Sequence, residues 1–366
     1  MKKLSYNIAI IGCGRISGHH LRSIENIKGL TISAVCDIDE SKSSTYGLEF
    51  KVPYYTDYHK MFELQQNIDI VVIATPSGMH YEHAMEIMKL YNKHVIIEKP
   101  TFMKPDQINK AFDFAESKGL NIFPVFQNRY NKAVQRVKTA LKNDELGDIR
   151  IMNVRLRWCR PQRYYELSKW RGTYSHDGGA LTNQGIHHID LLRYIGGNID
   201  KVNSVMKTLG ANIEVEDSVV GIFTYKSGAI GSLEITTSAR PDDFEASISI
   251  VGSKGLAQLG GVAVNKLEIF SPKPDDCTIF SDDFSDLSDR GRVYGRGHQD
   301  MYEDISKFFF NDIIFPVSRE DCFNTISLLH SFYLSDEIEN WVSLKDNPIS
   351  KKLGRSDESI SNLYRI

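Results

Sequence analysis

The chain has 366 residues, of which 41% are apolar and 25% are charged, and its formal net charge is −3. This length and composition predict a globular protein with about two domains, and the small negative charge argues against a nucleic-acid or membrane-surface protein. No apolar run reaches the roughly 18 residues of a membrane span, and five scattered cysteines without a C-x-x-C pair favour reduced thiols, so we expect a cytoplasmic protein.

Residues 6 to 126 alternate between short apolar runs and helical patterns. The runs predict strands at 7–12, 30–37, 68–76, 94–100 and 120–126. The helical patterns lie at 18–27, 81–90 and 105–118. Continuous apolar strands between helices predict a parallel sheet that is buried on both faces. Right-handed crossovers then give a doubly wound α/β domain of the Rossmann type, which we place at residues 1–126.

After residue 126 the pattern changes, and several strands follow one another directly. Strands are predicted at 150–158, 218–225, 229–238 and 246–252, and helices at 132–143, 299–310 and 322–341. Short turns such as "KSG" and "GSKG" separate some of these strands and predict a large, mostly antiparallel open sheet. We therefore expect a second, α+β domain at residues 127–366. Residues 275–290 are acid-rich and predict an exposed loop.

The segment "IGCGRISG" follows the first strand and opens a helix. Gly12 and Gly14 match the first two glycines of the dinucleotide-binding fingerprint, where they allow a tight turn and close approach of a pyrophosphate. Ser17 stands at the third position and is small enough for close packing. Asp37 ends the second strand and is expected to bind the adenosine ribose hydroxyls. With no Arg or Lys directly after it, it favours NAD over NADP. The alternative for the glycine segment is an ordinary turn between a strand and a helix, and the alternative for Asp37 is a helix N-cap.

Lys99 lies in "EKPT", at the carboxyl end of the strand predicted at 94–100. Ligands bind outside the carboxyl ends of such strands, and Pro100 favours an extended conformation at Lys99. Lys99 is therefore a candidate functional residue. The alternative is a solvated surface lysine.

The segment "TNQGIHHID" places Asn183 and His187 four residues apart, so they share a helix face with Asp190. His188 is turned about 100° away, which argues against a metal ion shared by the two histidines. Gly185 costs about 1 kcal/mol in a helix and indicates close approach of a ligand or another backbone. The alternative for His187 is a histidine satisfied within the core.

His80 and His83 form an H-x-x-H pattern that suits zinc in principle. No third ligand follows at a metal-like spacing. We therefore predict no metal site.

Six segments together resemble the Gfo/Idh/MocA family of sugar oxidoreductases, over nearly the whole chain. They are "IGCGRIS", "VCDID", "IATPSGMHYEHA", "KHVIIEKP", "KWRGTYSHDGGALTNQGIHHIDLL" and "GHQDMYEDI". The resemblance implies a Rossmann domain followed by a domain whose sheet commonly forms an oligomer interface. It also implies that Lys99 and His187 act at the substrate hydroxyl. Asn183 stands where the family has an aspartate.

Within the family, "RWCRPQRYY" and "GGALTNQGIHHID" are most similar to UDP-N-acetyl-glucosaminuronate 3-dehydrogenases of surface-polysaccharide pathways, and "YGRGHQDMYEDI" resembles their substrate-lining segment. This resemblance implies NAD-dependent oxidation of the C3 hydroxyl of a UDP-linked N-acetylated sugar or uronate. It also implies a dimer or tetramer, and an aminotransferase that consumes the 3-keto product. The implied catalytic residues are Lys99, His187 and Asn183.

The same resemblance, joined to the glycine loop, implies the binding residues. For the cofactor they are Gly12, Gly14, Arg15, Ile16, Asp37, Thr75, Pro76, Ser77, His80, Glu98, Lys99, Gln127, Trp170 and Arg171. For the substrate they are Asn128, Arg129, Arg157, Arg160, Arg163, Tyr164, Asn183, His187, His298 and Tyr302. Guanidinium groups suit a diphosphate or a carboxylate. The alternative for Arg157, Arg160 and Arg163 is a set of exposed positions on a sheet.

Two residues remain candidates for the proton acceptor. His187 has a reference pKa near the working pH, so it is the better base, and a charged Lys99 stabilises the developing alkoxide. A neutral Lys99 acting as the base is the alternative. Two other functions remain open: an inositol, aldose or diol dehydrogenase of the same family, and a non-catalytic NAD-binding regulator.

Overall fold

The computed structural model describes residues 3–284 and 295–365. It divides into two compact units. The first contains Met1–Val125, His298–Phe323 and Ser356–Ile366, and the second contains Phe126–Gly297 and Asn324–Arg355. Part of the predicted acidic loop, residues 285–290, lies outside the described residues. Among residues 3–284 and 295–365, no helix combines the length and apolar character needed to cross a membrane.

The first unit is built on a six-stranded sheet in which every pairing is parallel. Its strands are β1 (Tyr6–Ile11), β2 (Leu30–Cys36), β3 (Tyr54–Tyr55), β4 (Ile70–Ile73), β5 (His94–Ile97) and β6 (Ile122–Pro124). The strand order is β3-β2-β1-β4-β5-β6, so the order reverses between β1 and β4. Dinucleotides bind at such a reversal, at the carboxyl ends of the strands. The predicted Rossmann fold is confirmed.

Helices connect these strands and cover the sheet. They are Ser17–Glu25, Glu40–Phe50, Tyr58–Leu64, His80–Glu86 and Pro105–Ser117, and a π-helical turn at Ile87–Tyr91 continues the fourth of them. All four residues of β4 are completely buried. This burial explains why the central strands are continuous apolar runs in the sequence rather than alternating ones.

A helix late in the chain, Gly297–Asn311, belongs to the first unit from His298 onward. Its ring of Phe309 stacks on Tyr6 at a centroid distance of 4.1 Å and contacts Phe123 at 5.6 Å. The expected division placed all residues after 126 in one domain. Aromatic side chains of this helix instead cover the start of β1 and the end strand β6, which explains its place in the first unit.

The second unit contains an eight-stranded sheet. Its strands are β7 (Ile149–Arg157), β8 (Ile199–Lys207), β9 (Ser218–Tyr225), β10 (Ile230–Thr236), β11 (Glu245–Gly252), β12 (Leu256–Gly260), β13 (Lys266–Phe270) and β14 (Val342–Ser343). The order is β13-β12-β11-β7-β10-β9-β8-β14. Within this sheet, β7–β10 is the only parallel pairing among the described strands, so the predicted mostly antiparallel sheet is confirmed.

Helices lie against one face of this sheet. The helices with residues in the second unit are Lys132–Lys142, Gln162–Tyr165, Gly179–Asn183, Ile186–Gly196, Asp276–Ile279 and Arg319–Ile338. A methyl group added at Gly185 would lie 2.7 Å from Cδ1 of Ile235, so glycine lets the helical segment approach β10 closely. On the opposite face the side chains of Val220, Ile222 and Ile230 remain 61%, 48% and 55% exposed. We call this face the open face.

Candidate functional site

The glycine loop joins β1 to the helix Ser17–Glu25. Gly12 has φ of +92°, and a methyl group there would lie 2.5 Å from the carbonyl oxygen of Ala74, at the end of β4. Only glycine satisfies both the conformation and the close approach. A methyl group at Gly14 would meet nothing within 4 Å, so open space lies beside the loop. Buried Ser17 donates its hydroxyl to the Gly12 carbonyl at 2.5 Å and thereby closes the turn.

Asp37 is half-buried and fixed at the end of β2. Its two carboxylate oxygens accept the backbone N–H groups of Cys13 at 2.7 Å and Asp39 at 2.9 Å. The N-cap of the following helix is Asp39, so the N-cap alternative for Asp37 does not hold. A carboxylate has about four acceptor positions, which leaves capacity for ribose hydroxyls. With the open space at Gly14, these residues fit a dinucleotide.

The loop after β4 contains Thr75, Pro76 and Ser77. His80 is buried, and its ring nitrogens lie 2.8 Å from the carbonyl oxygen of Pro100 and 3.0 Å from that of Thr75. His80 therefore ties the loop to the E-K-P segment. Nδ1 of His83 contacts the Thr75 hydroxyl at 3.0 Å. Three of the four ring nitrogens of the H-x-x-H pattern thus contact oxygens of the chain.

The E-K-P segment follows β5. Lys99 is half-buried, and its backbone N–H donates to Oε2 of Glu98 at 3.1 Å. Oε1 of Glu98 lies 3.0 Å from Nε2 of His20 and 3.4 Å from Nε2 of His298. Tyr302 is completely buried, and its hydroxyl contacts Nδ1 of His20 at 2.7 Å. In the first unit, His298 and Tyr302 are thus buried partners of Glu98 and His20.

His187 and Asp190 both face the segment Gln127–Tyr130, as their shared helix face predicts. Asn183 ends the separate helix Gly179–Asn183, so the prediction that it lies on the same helix as His187 is wrong. The Gln127 amide nitrogen lies 3.0 Å from Nε2 of His187. Buried Arg129 donates two hydrogen bonds to Asp190, at 2.7 and 2.6 Å. Arg129 thus has its guanidinium committed to an ion pair of its own chain.

Two other residues of this region are buried. Asn128 is buried. His188 is also buried, its ring nitrogens have no hydrogen-bond partner among the described residues, and burial lowers its pKa to about 4. His188 therefore behaves as a core residue, as its orientation away from His187 predicts.

A second group surrounds Asn183. The Asn183 amide donates to Oδ1 of Asp177, and the other Asp177 oxygen accepts the Gly172 N–H at 2.7 Å. The Tyr164 hydroxyl accepts from Arg171 at 2.5 Å and from Gln184 at 3.3 Å. The Arg171 guanidinium lies over the Tyr164 ring at 4.4 Å and over Trp170 at 4.6 Å. This packing gives a fixed cation between two aromatic rings.

The three arginines of "RWCRPQRYY" diverge. Arg157 pairs with Glu234 through two bonds of 2.6 and 2.8 Å, and the alternation along β7 puts it on the open face, opposite Ile186–Gly196. Arg160 bonds Asp243 at 2.8 Å and lies over the Trp158 ring. Arg163 is exposed. The sheet alternative therefore describes Arg157, whereas Arg163 lies in a short helix.

Sequence reasoning missed His20, Asp177 and Glu216. Oε1 of the Glu216 carboxyl group accepts the N–H of Leu181 at 3.0 Å and the hydroxyl of Tyr333 at 2.7 Å, so it holds the helix that ends in Asn183. For Glu216, no local pattern distinguishes it from a surface residue. The pair "HH" at 19–20 and "SHDGG" at 175–179 were available signals for the other two.

Comparison with known proteins identifies the family. The family model described as oxidoreductase family, NAD-binding Rossmann fold, matches residues 6–126, and the GFO/IDH/MocA C-terminal domain matches residues 134–258. A crystal structure of the WlbA dehydrogenase from Bordetella pertussis, in complex with NADH and UDP-GlcNAcA, is similar with a TM-score of 0.85 and 30% identity, covering 94% of this chain and 99% of that one.

Two curated enzymes are more distant in sequence. Myo-inositol 2-dehydrogenase from Thermotoga maritima is 26% identical over 257 residues, covering 68% of this chain and 73% of the relative. D-glucoside 3-dehydrogenase from Escherichia coli is 26% identical over 275 residues, covering 69% and 76%. The chain therefore belongs to the GFO/IDH/MocA family and is an NAD-dependent sugar or polyol dehydrogenase that acts on a CH–OH group.

Proposed function

We propose that this enzyme oxidises the C3 hydroxyl of a UDP-linked N-acetylated sugar uronate to a 3-keto sugar. The observation that carries the proposal is the similarity to the WlbA dehydrogenase bound to UDP-GlcNAcA, which extends over 94% of the chain at 30% identity. The inositol and glucoside relatives match a smaller share at lower identity. The name D-glucoside 3-dehydrogenase supports C3 as the position of attack.

The first unit would hold the cofactor. The open space at Gly14 would receive the pyrophosphate at the start of the helix, and Asp37 would accept the ribose hydroxyls. The rest of the cofactor would be bordered by Thr75, Pro76 and Ser77, and His80 would fix the loop that contains them. NAD, when bound, supplies the acceptor for the hydride that leaves C3.

His187 would take the proton of the C3 hydroxyl. The Gln127 amide contacts the ring at Nε2. With the amide nitrogen donating, Nε2 is the unprotonated nitrogen, and the substrate hydroxyl would take the place of the amide there when His187 acts as the base. Asn183 would orient the substrate but has no proton-accepting group. Lys99, kept charged, would stabilise the oxygen anion.

The substrate would be recognised by arginine side chains that face outward. Arg163 is exposed, and Arg171 is held between Tyr164 and Trp170. Their guanidinium groups suit the diphosphate or the uronate carboxylate, because both offer paired oxygens. Arg157 and Arg129 are already paired with Glu234 and Asp190, which supports giving this role to Arg163 and Arg171 instead.

A substrate panel tests the proposal. The purified enzyme is supplied with NAD and with UDP-GlcNAcA, UDP-GlcNAc, free N-acetylglucosamine or myo-inositol, and NADH formation is followed by absorbance. We expect UDP-GlcNAcA to be oxidised with the highest kcat/KM, and mass spectrometry to find a product lighter by two hydrogens. Preferential oxidation of myo-inositol would instead establish the inositol dehydrogenase alternative, which the Thermotoga maritima relative supports.

Two variants separate catalysis from binding. Lys99→Ala and His187→Ala are expected to lose turnover while NAD affinity, measured by calorimetry, is retained. Near-full turnover in both would refute the proposed roles. Tight NAD binding without oxidation of any sugar in the wild type would favour a non-catalytic regulator.

We also propose a homo-oligomer, a dimer or a tetramer, assembled through the open face. Val220 and Ile222 on β9 and Ile230 on β10 are exposed on this face, and grouped exposed apolar side chains favour an interaction surface. The 3-keto product is a ketone, so an aminotransferase that converts ketones to amines would be a suitable next enzyme.

A further inference from the structure

The first unit contains a buried hydrogen-bond chain that the proposed reaction does not use. The Tyr302 hydroxyl contacts Nδ1 of His20 at 2.7 Å, and Nε2 of His20 contacts Oε1 of Glu98 at 3.0 Å. Oε2 of Glu98 accepts the backbone N–H of Lys99 at 3.1 Å. His20 and Tyr302 are completely buried and Glu98 is 5% exposed. We call Tyr302, His20 and Glu98 the relay.

The positions of the protons make every hydrogen bond in the relay point the same way, from Tyr302 through His20 to Glu98. An ionised carboxylate only accepts, so Nε2 of His20 carries a proton and donates it to Glu98. A neutral imidazole then has an unprotonated Nδ1, which accepts from the Tyr302 hydroxyl. Every donor in the chain faces an acceptor when Glu98 is charged and His20 is neutral.

The ionisation of these groups supports that assignment. Burial raises the pKa of Glu98, but the hydrogen bonds from His20 and His298 outweigh it and hold that pKa well below its usual range. Burial lowers the pKa of His20, although the bond to Glu98 opposes this. Burial, with Glu98 nearby, keeps the Tyr302 pKa well above its usual value. The carboxylate is thus charged, the imidazole neutral and the phenol protonated.

We propose that His20 and Tyr302 are positioning residues for Lys99, acting through Glu98. They orient the carboxylate so that Oε2 meets the Lys99 N–H, which fixes the backbone from which the Lys99 side chain extends. His20 also lies in the helix that opens at the glycine loop, so the relay sets the E-K-P segment against that helix within the first unit. This inference rests on the proposed catalytic role of Lys99.

A bound divalent cation is the rival explanation. The ligand atoms of His20, Glu98 and His298 all lie within 4.8 Å of one another, which suits a site with two histidines and a carboxylate. The relay explains in addition why the Nδ1 of His20 meets a hydroxyl group. Metal analysis of the purified enzyme, and activity after treatment with EDTA, separate the two explanations.

The test compares Tyr302→Phe, His20→Gln and His20→Ala with Tyr225→Phe. Tyr225 is a matched control because it is 3% exposed and its hydroxyl bonds the Leu192 carbonyl in the second unit. We expect Tyr302→Phe and His20→Ala to lower kcat about tenfold, equivalent to ~1.4 kcal/mol, with the sugar KM little changed. The acid limb of the kcat profile should move to higher pH, because Glu98 then protonates more readily.

Two further measurements complete the test. His20→Gln should recover part of the loss, because its amide can still donate to Glu98, and Tyr225→Phe should lose stability without a change in kcat or in the acid limb. In the wild type, ¹⁵N shifts should show His20 protonated at Nε2 and not at Nδ1. Wild-type kcat and an unmoved acid limb in both Tyr302→Phe and His20→Ala would overturn the proposal.

Stoichiometric metal, with activity lost to EDTA, would also overturn it and establish the rival. The Lys99→Ala variant distinguishes this failure from failure of the proposed function. If Lys99→Ala is inactive while His20→Ala behaves as the wild type, the relay alone is wrong. If Lys99→Ala retains turnover, the catalytic role of Lys99 is wrong.

Discussion

Glu216 makes the stability of this protein depend on pH in an unusual direction. It is 2% exposed, and burial raises its pKa from the ordinary 4.5 to about 8. At neutral pH the folded protein therefore holds this carboxyl protonated, whereas the unfolded chain ionises it. Because the folded pKa is the higher one, the stabilisation is complete below pH 4.5 and is lost as the pH rises through about 8.

The two pKa values give the size of the effect. Each tenfold difference in proton affinity corresponds to about 1.4 kcal/mol, so the full change has an upper bound of about 5 kcal/mol. Most of it, about 4 kcal/mol, falls between pH 5 and pH 9. Glu216→Gln should remove this dependence, since an amide is neutral at every pH and its oxygen can still accept from Leu181 and Tyr333.

The assay is urea-induced unfolding of wild type, Glu216→Gln and a control, Glu166→Gln, at several values between pH 5 and pH 9. Glu166 is an exposed residue of the same unit, so its substitution tests for a general charge effect. We expect the stability of the wild type, relative to Glu216→Gln, to fall steadily as the pH rises. Parallel curves for wild type and Glu216→Gln would refute the reasoning.

Three further outcomes follow from the cofactor loop and the open face. Asp37→Ser should lower the preference for NAD over NADP, measured as the ratio of kcat/KM values, because a carboxylate that repels a 2′-phosphate is lost; an unchanged ratio would contradict this. Gly12→Ala should destabilise the protein by a few kcal/mol in thermal unfolding and abolish NAD binding. The control is Gly119→Ala: Gly119 has φ of +65°, but an added methyl group would have no neighbour within 4 Å, so this variant should show the effect of backbone strain alone. Val220→Lys with Ile222→Lys should yield monomers in light scattering; an unchanged mass would place the interface elsewhere.

The sequence predicted the strands of the first unit well where both faces of the sheet are buried. The buried parts of β1, β4 and β5, residues 8–11, 70–73 and 95–97, are apolar because helices cover both faces of the sheet. The helix Glu40–Phe50 escaped prediction because it buries only Ser43 and Gly47, which leaves no apolar stripe to detect. The placement of Gly297–Asn311 in the first unit depends on packing between residues far apart in the chain, which no local pattern contains.

The residues of the candidate site also divide into those that a local pattern reveals and those that long-range packing places. Gly12 and Asp37 were found because backbone geometry imposes a fixed spacing on the fingerprint. The contacts of Glu98 with His20 and of His187 with Gln127 join residues 78 and 60 positions apart. Pairing of this kind is set by the fold, so the sequence indicated the proposed reacting groups but not the side chains that contact them.

Asn183 illustrates how a neighbouring group decides what a side chain offers to a substrate. Its Nδ2 donates to Asp177, so the amide orientation is fixed and Oδ1 is turned away from that carboxylate. Asp177 is 1% exposed and also holds the Gly172 N–H, so it is committed to the chain. An aspartate at 183 would set two carboxylates against each other, which raises the pKa of one of them. Asparagine avoids that repulsion and has no group that takes a proton, so in the proposed mechanism the proton of the substrate would go to His187 or Lys99.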